Sequence, residues 1–189
     1  MPSTSLRPQD VVVLAKLIVH GGPRPSFAQL AIALSMSPSE VHAAVRRLGG
    51  AGLVSSGDDG IRPLAEAAEE FLVHGVRYAF PAVRGEVTRG VPTAHAAPPL
   101  SAQIVGRSDL PPVWPHSEGS ARGVTFLPLY RSVPGAALRD PALYEILALI
   151  DALREGRVRE RRLAERHLHS RIYAEPRKRP QSGTPRTRR

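Results

Sequence analysis

The sequence predicts a mainly α fold with one small β-hairpin, followed by an irregular middle segment and C-terminal helices. Three observations support this prediction. Apolar residues recur at helical spacing in several segments, serines stand where helices can be capped, and a Gly-Asp-Asp-Gly sequence separates two short apolar runs. With 189 residues, of which 42% are hydrophobic, the chain can form one ordinary domain, or a small domain with an extension.

The first predicted helix begins at Arg7 or Pro8 and ends before Gly21. A second, short helix follows Ser26, whose hydroxyl can accept a free backbone N–H of the first turn. Its apolar face consists of Phe27, Leu30, Ala31 and Leu34. Residues 35–37 then form a tight turn.

The third predicted helix has the strongest start signal in the chain. Ser37 is its cap, Pro38 occupies the first helical position, and Glu40 follows three residues after the cap. One side is apolar and is expected to pack inwards: Val41, Ala44, Val45 and Leu48. The opposite side is expected to face outwards: Ser39, His42, Ala43, Arg46 and Arg47. Glycines at positions 49, 50 and 52 end the helix.

A β-hairpin is predicted next, from residues 53–56 and 61–64 with a turn over residues 57–60. Arg62 lies on the return strand. The turn carries Asp58 and Asp59, and carboxylates repel phosphate, so this tip is not expected to enter a DNA groove.

Over residues 6–80 this order of elements resembles the winged helix-turn-helix domains of bacterial transcription regulators of the MarR-like and ArsR-like kind. The resemblance rests on the element order and on the Arg-Arg-Leu-Gly-Gly-Ala-Gly-Leu-Val segment. It implies that the third helix enters the major groove of DNA. The implied DNA-binding residues are Ser37, Ser39, His42, Ala43, Arg46, Arg47 and Arg62. The alternative is an ordinary helical hairpin with a solvated, arginine-containing face.

The rest of the chain divides into three parts after a helix over residues 64–80. Residues 81–135 hold nine of the 19 prolines and predict an irregular, ordered segment packed on the helices. Residues 136–174 predict C-terminal helices, the first beginning at Asp140 and ending near Glu155. Its strong apolar stripe indicates a role in dimerisation. Residues 175–189 are predicted to be a disordered basic tail.

The charge distribution is strongly uneven. The net charge of the chain is +9, and residues 157–189 carry all of this excess, with 12 basic and three acidic residues. Such a segment attracts polyanions without sequence preference. The alternative is compositional, because 24 arginines against two lysines is typical of a GC-rich genome.

Several kinds of chemistry have little support in the sequence. There is no cysteine, which excludes disulfides and thiol chemistry. The seven histidines are scattered, and no nucleophile or phosphate-loop pattern occurs, so no enzyme activity, metal or cofactor is predicted. Trp114 is expected to pack a loop, with a ligand pocket as the alternative. No signal peptide or membrane span is evident, which predicts a cytoplasmic protein without membrane contact.

The sequence therefore predicts a sequence-specific DNA-binding transcription regulator, a repressor that acts as a homodimer on double-stranded DNA. One alternative is the antitoxin of a toxin–antitoxin pair, which binds a toxin through its C-terminal part and autoregulates its operon. A third reading is a non-specific nucleoid or RNA-binding protein.

Overall fold

The computed structural model describes residues 5–20, 25–57, 60–104 and 110–174. Within them the chain is α+β, with 57% of residues in helices and 17% in strands. The strands form one two-stranded and one three-stranded sheet. The hairpin tip at Asp58 and Asp59, and the predicted disorder of residues 175–189, lie outside the described residues.

Three helices and a hairpin open the chain. Their bounds are α1 (Pro8–Val19), α2 (Phe27–Leu34), α3 (Pro38–Gly50), β1 (Val54–Gly57) and β2 (Gly60–Pro63). Local chemistry fixes the helix starts, since the Ser26 and Ser37 hydroxyls accept the backbone N–H groups of Gln29 and Glu40, each at 3.2 Å. Ser35 adopts the left-handed conformation at φ 51° and ends α2. The predicted helices and hairpin are thus present at nearly the predicted positions.

A helix with a π-helical turn follows the hairpin. It comprises α4 (Ala65–Glu70), the turn Phe71–Gly75 and α5 (Val76–Ala79). Ala68, Leu72 and Val76 are fully buried and pack this helix against the core. The single helix predicted over residues 64–80 is therefore confirmed, with a widened turn in its middle.

The middle of the chain forms the three-stranded sheet. Strand β3 (Arg84–Pro92) pairs antiparallel with both β4 (Pro112–Pro115) and β5 (Ala121–Phe126). The latter two strands also pair with each other, in parallel, so the three strands close on one another. This arrangement of strands requires a residue without a Cβ at position 90. On Gly90, a Cβ would lie 2.1 Å from the carbonyl oxygen of Trp114.

The prediction of a mainly α fold with an irregular middle segment is wrong, because residues 84–126 contain this sheet. Prolines do mark the limits of regular structure, but here they stand at strand ends: Pro92, Pro112 and Pro115. Three of the glycines that indicated loops, Gly85, Gly90 and Gly123, lie within strands. The order of the first five elements does not by itself confirm a winged helix-turn-helix.

Three helices complete the fold: α6 (Val133–Arg139), α7 (Pro141–Glu155) and α8 (Val158–Ile172). Asp140 caps α7, since its Oδ1 accepts the N–H of Leu143 at 3.1 Å. Helix α7 lies at the centre of the molecule, in contact with α1, α5, α6 and α8. No helix in the described part of the chain is long and apolar enough to cross a membrane.

A buried polar network joins the sheet to α7. The Asp151 carboxylate, 1% exposed, accepts hydrogen bonds from the Thr93 hydroxyl at 2.8 Å, the Trp114 indole at 2.7 Å and the Arg154 guanidinium at 2.7 Å. Burial raises the pKa of Asp151, against the opposing effect of Arg154 and the other donors. Trp114 thus lies in strand β4 and not in a loop as expected; it is buried in the core, and its indole N–H has a partner there.

Candidate nucleic-acid interface

Helix α3 presents one polar face to solvent. Ser39, His42 and Arg46 are exposed, and Ala43 between them is half-buried. Its other face is in the core, where Val41, Ala44 and Leu48 are fully buried and Val45 nearly so. The structure therefore brings three of the predicted DNA-binding side chains together on one helical face.

Arg47 does not belong to that face, and the prediction that it points outwards is wrong. Its side chain is 9% exposed, and its Nε and Nη2 atoms donate to the two carboxylate oxygens of Asp10 at 2.7 and 2.6 Å. Successive helix residues are rotated by about 100°, which places Arg47 beside Ala44 on the inner side. Donation of these hydrogen bonds to the Asp10 carboxylate raises the pKa of Arg47.

Asp10 is the residue that sequence reasoning missed. It precedes the apolar run of α1 and is fully buried. A carboxylate in that position needs a charged partner, and this is the signal that points to Arg47. Asp10 also accepts the backbone N–H of Arg7 at 2.8 Å, so it caps α1 and anchors α3 at once.

The first turn of α3 is held from the C-terminal half of the chain. The Tyr130 hydroxyl donates to Glu40 Oε1 at 2.5 Å, and Glu40 Oε2 accepts the backbone N–H of Ser37 at 2.8 Å. These hydrogen bonds, that from Tyr130 above all, lower the pKa of Glu40 to about 2. Ser37 is exposed, but its hydroxyl and its backbone N–H both take part in the cap.

Two further contacts hold α2 beside α3. The His42 ring contacts the Phe27 ring at an interplanar angle of 52°, with centroids 5.1 Å apart. At the turn between the helices, Arg139 of α6 donates to the Ser35 hydroxyl at 2.7 Å. Side chains from α1, α2, α6 and the segment that contains Tyr130 therefore contact α3 or the turn before it.

Arg62 lies exposed on β2, opposite Ser55 of β1. Between this hairpin and the start of α2 runs an open groove of about 450 Å³, lined by residues that include Phe27, Gln29, Ser56 and Ile61. The hairpin therefore flanks the start of α2, and Arg62 lies on its second strand rather than on the α3 face.

The apolar stripe of α7 is not available for dimerisation, contrary to the prediction. Ile146 and Ile150 are fully buried within a single chain, as are Leu143 and Leu149. The stripe is strongly apolar because α7 packs against helices and against the three-stranded sheet. That sheet was not predicted from the sequence.

Among the described residues no group of three His, Cys, Asp or Glu side chains could hold a metal ion. Comparison with protein-family models, curated proteins and solved structures finds no match to this chain. The resemblance to MarR-like and ArsR-like regulators therefore stays a prediction, and function has to be argued from the geometry described above.

Proposed function

We propose that this chain binds double-stranded DNA in a sequence-specific manner, through the exposed face of α3, and regulates transcription. The observation that carries the proposal is the exposure of Arg46 beside Ser39 and His42 on a helix whose opposite face is fixed in the core. A guanidinium can donate two hydrogen bonds to one guanine, which is the commonest specific contact of proteins with a base.

The dimensions of α3 suit this role. An α-helix with its side chains is about 10–12 Å wide, and the major groove of B-DNA is about 12 Å wide. Ser39, His42 and Arg46 are spaced three and four residues apart, so they form one continuous line along the helix. A helix that enters the groove with this face would present all three side chains to base edges.

The contacts that anchor α3 support base reading over mere attraction to phosphate. Base contacts require side chains placed within a fraction of an ångström, and α3 is anchored at its start by Tyr130 and near its end by Asp10. Arg47 acts in this proposal as a positioning residue inside the protein. Ser37 and Arg62 remain candidates for contacts to the DNA backbone.

Within the same proposal, two copies of the chain read two half-sites and repress transcription by occupying the operator. The surface that joins the copies lies outside the buried stripe of α7. No contact described above favours the antitoxin alternative, which stays a prediction from the sequence.

The test begins with selection of bound duplexes from a random-sequence pool, using the full-length chain. Arg46→Ala should then weaken binding to the selected site by about 1–3 kcal/mol, with little effect on a scrambled duplex, if Arg46 makes a bidentate base contact. Gel-shift titration on the two duplexes measures the difference.

Two controls sharpen the result. Arg46→Lys keeps the charge but not the planar fork, so it should lose preference for the selected site while retaining non-specific binding. Arg122→Ala removes one charge from the exposed side of β5 and should leave both affinities nearly unchanged. Failure of the pool to yield an enriched sequence, or equal loss on both duplexes for Arg46→Ala, contradicts the proposal.

A further inference from the structure

Helix α8 carries a line of three exposed arginines outside the site described above. Arg159, Arg162 and Arg166 are spaced three and four residues apart and therefore share one face of the helix. They border a shallow surface groove of about 740 Å³, together with Val158, Leu163 and Glu165. We name these three arginines the α8 arginine stripe.

Other basic side chains of α8 have partners within the chain. Arg171 pairs with Glu145 of α7, His169 with Glu69 of α4, and Arg161 donates to the carbonyl of Gly156. The stripe differs, since its guanidinium groups form no ion pair or hydrogen bond with any residue that the structure describes. Glu165 lies in the same groove but is not paired with them.

Three unneutralised guanidinium groups on one helical face repel one another, so the fold gains nothing evident from their arrangement. The stripe spans eight residues, from Arg159 to Arg166, or about 10 Å along the helix axis. One strand of B-DNA carries a phosphate about every 3.4 Å of its axis, so that span covers about three phosphates. Guanidinium groups also match phosphate oxygens with two parallel hydrogen bonds.

We propose that the α8 arginine stripe binds the phosphate backbone of duplex DNA without sequence preference, as a second surface distinct from the α3 face. The stripe lies near the start of residues 157–189, the part of the chain that carries all of the excess positive charge. The proposal rests on the proposed function only in taking DNA as the nucleic acid.

A lipid surface fits the stripe less well. A helix that lies on a membrane buries an apolar face in the lipid, but the apolar residues of α8 are committed to the protein interior: Leu163, Ala164 and Leu168. Of the two large apolar side chains that border the groove, Val158 is exposed and Leu163 is buried. Phosphate recognition through charge is therefore the chemistry that remains.

The test is the salt dependence of binding of the full-length chain to a scrambled duplex. Each phosphate contact adds about 0.9 to the slope of log affinity against log salt concentration. The triple variant R159Q/R162Q/R166Q should lower that slope by up to about 2.7, so that between about 50 and 200 mM salt it loses roughly 40-fold less affinity than the wild type. Fluorescence anisotropy with a labelled duplex measures both slopes.

Two controls separate the stripe from net charge. R159K/R162K/R166K retains the charges and should retain most of the slope. R77Q/R84Q/R122Q removes three arginines from α5 and the three-stranded sheet, and should change the slope by much less. Equal slopes for the wild type and R159Q/R162Q/R166Q, or an equal decrease in the scattered control, overturn the proposal. So does a variant that loses binding to anionic vesicles while its DNA slope is unchanged.

The two proposals fail separately. If the wild type prefers no selected sequence, but R159Q/R162Q/R166Q has a lower salt slope on a scrambled duplex, base reading by α3 is contradicted and the stripe is supported. If the wild type prefers a selected sequence, and R159Q/R162Q/R166Q has the same salt slope as the wild type, base reading is supported and the stripe is contradicted.

Discussion

Arg46 and Arg47 are adjacent in the sequence but lie in opposite environments. Arg46 faces solvent, whereas Arg47 and Asp10 form a bidentate ion pair in the core. Removal of one partner of such a pair leaves an uncompensated buried charge. The two residues therefore separate the stability of α3 from its surface chemistry.

We expect Arg47→Ala to lower the free energy of unfolding by about 3–5 kcal/mol, because Asp10 then stays buried without its partner. Urea denaturation measures the loss. Arg46→Ala is the matched control and should change stability by no more than about 0.5 kcal/mol, as is usual for exposed sites. If the two variants unfold at the same urea concentration, the Asp10–Arg47 pair does not hold α3 in place.

The hydrogen bond from Tyr130 to Glu40 makes the free energy of unfolding depend on pH in a definite direction. In the folded chain the pKa of Glu40 is about 2, below its ordinary value of 4.5. The unfolded chain therefore takes up a proton more readily, and the stabilising effect is complete above pH 4.5 and is lost as the pH falls towards 2.

Tyr130→Phe should reduce this loss, since it removes the strongest hydrogen bond to the Glu40 carboxylate and raises its folded pKa. Urea denaturation at pH 7, pH 4 and pH 3 compares the variant with the wild type. Tyr144→Phe is the control, because the Tyr144 hydroxyl donates to the carbonyl of Pro92 and not to a carboxylate. Identical pH dependences for the wild type and Tyr130→Phe would contradict this explanation.

At the scale of elements, two glycines, one in the sheet and one in α3, differ in the space available for a side chain. A Cβ on Gly90 of β3 would lie 2.1 Å from the Trp114 carbonyl oxygen, whereas a Cβ on Gly49 of α3 would have nothing within 4 Å. The first glycine is required by the close approach of two strands. The second only weakens a helix.

Gly90→Ala should therefore destabilise the chain by about 1–3 kcal/mol or more, because backbone atoms must shift. Gly49→Ala should stabilise it by roughly 0.5–1 kcal/mol. Thermal unfolding followed in parallel for the two variants gives opposite shifts of Tm if the strand closure is as described. Equal shifts would mean that β3 and β4 do not approach so closely in solution.

The sequence predicted the elements that depend on neighbouring residues. The cap of Ser37 with Glu40 and the cap of Asp140 before Pro141 act within one turn, so α3 and α7 could be located from the chain alone. The sheet could not, because Gly90 and Trp114 meet only after the intervening chain has folded. The same holds for the site: the exposure of Arg46 followed from helical spacing, but the burial of Arg47 depends on Asp10, which is 37 residues away.

At the scale of the whole molecule, α7 is the element around which the rest is arranged. Its buried residues run without interruption from Ile146 to Arg154. The helix packs against α1 and α5, and its Asp151 accepts a hydrogen bond from Trp114 of the sheet. The two parts of the chain are thus packed on one shared core. Damage to α7 should affect the entire fold rather than an interface between copies.

We expect Ile146→Glu with Ile150→Glu to prevent folding, because two unpaired charges in the core cost several kcal/mol each, against a total stability of about 5–15 kcal/mol for a typical domain. Sedimentation velocity and limited proteolysis distinguish an unfolded chain from a folded monomer. Ile32→Glu, at a position 79% exposed on α2, is the control that should fold normally. A folded monomeric double variant of a dimeric wild type would restore the dimerisation role of α7.

The buried polar network between the sheet and α7 has a consequence for spectroscopy. The chain contains one tryptophan. Trp114 belongs to that network: its indole donates a hydrogen bond to Asp151, and its ring centre lies 5.8 Å from that of Tyr144. Its fluorescence emission therefore reports the separation of sheet from helix, whereas far-ultraviolet circular dichroism reports mainly the helices. Coincident transitions would show that both parts unfold in one step. An earlier shift of the tryptophan emission would show that the sheet detaches while the helices persist.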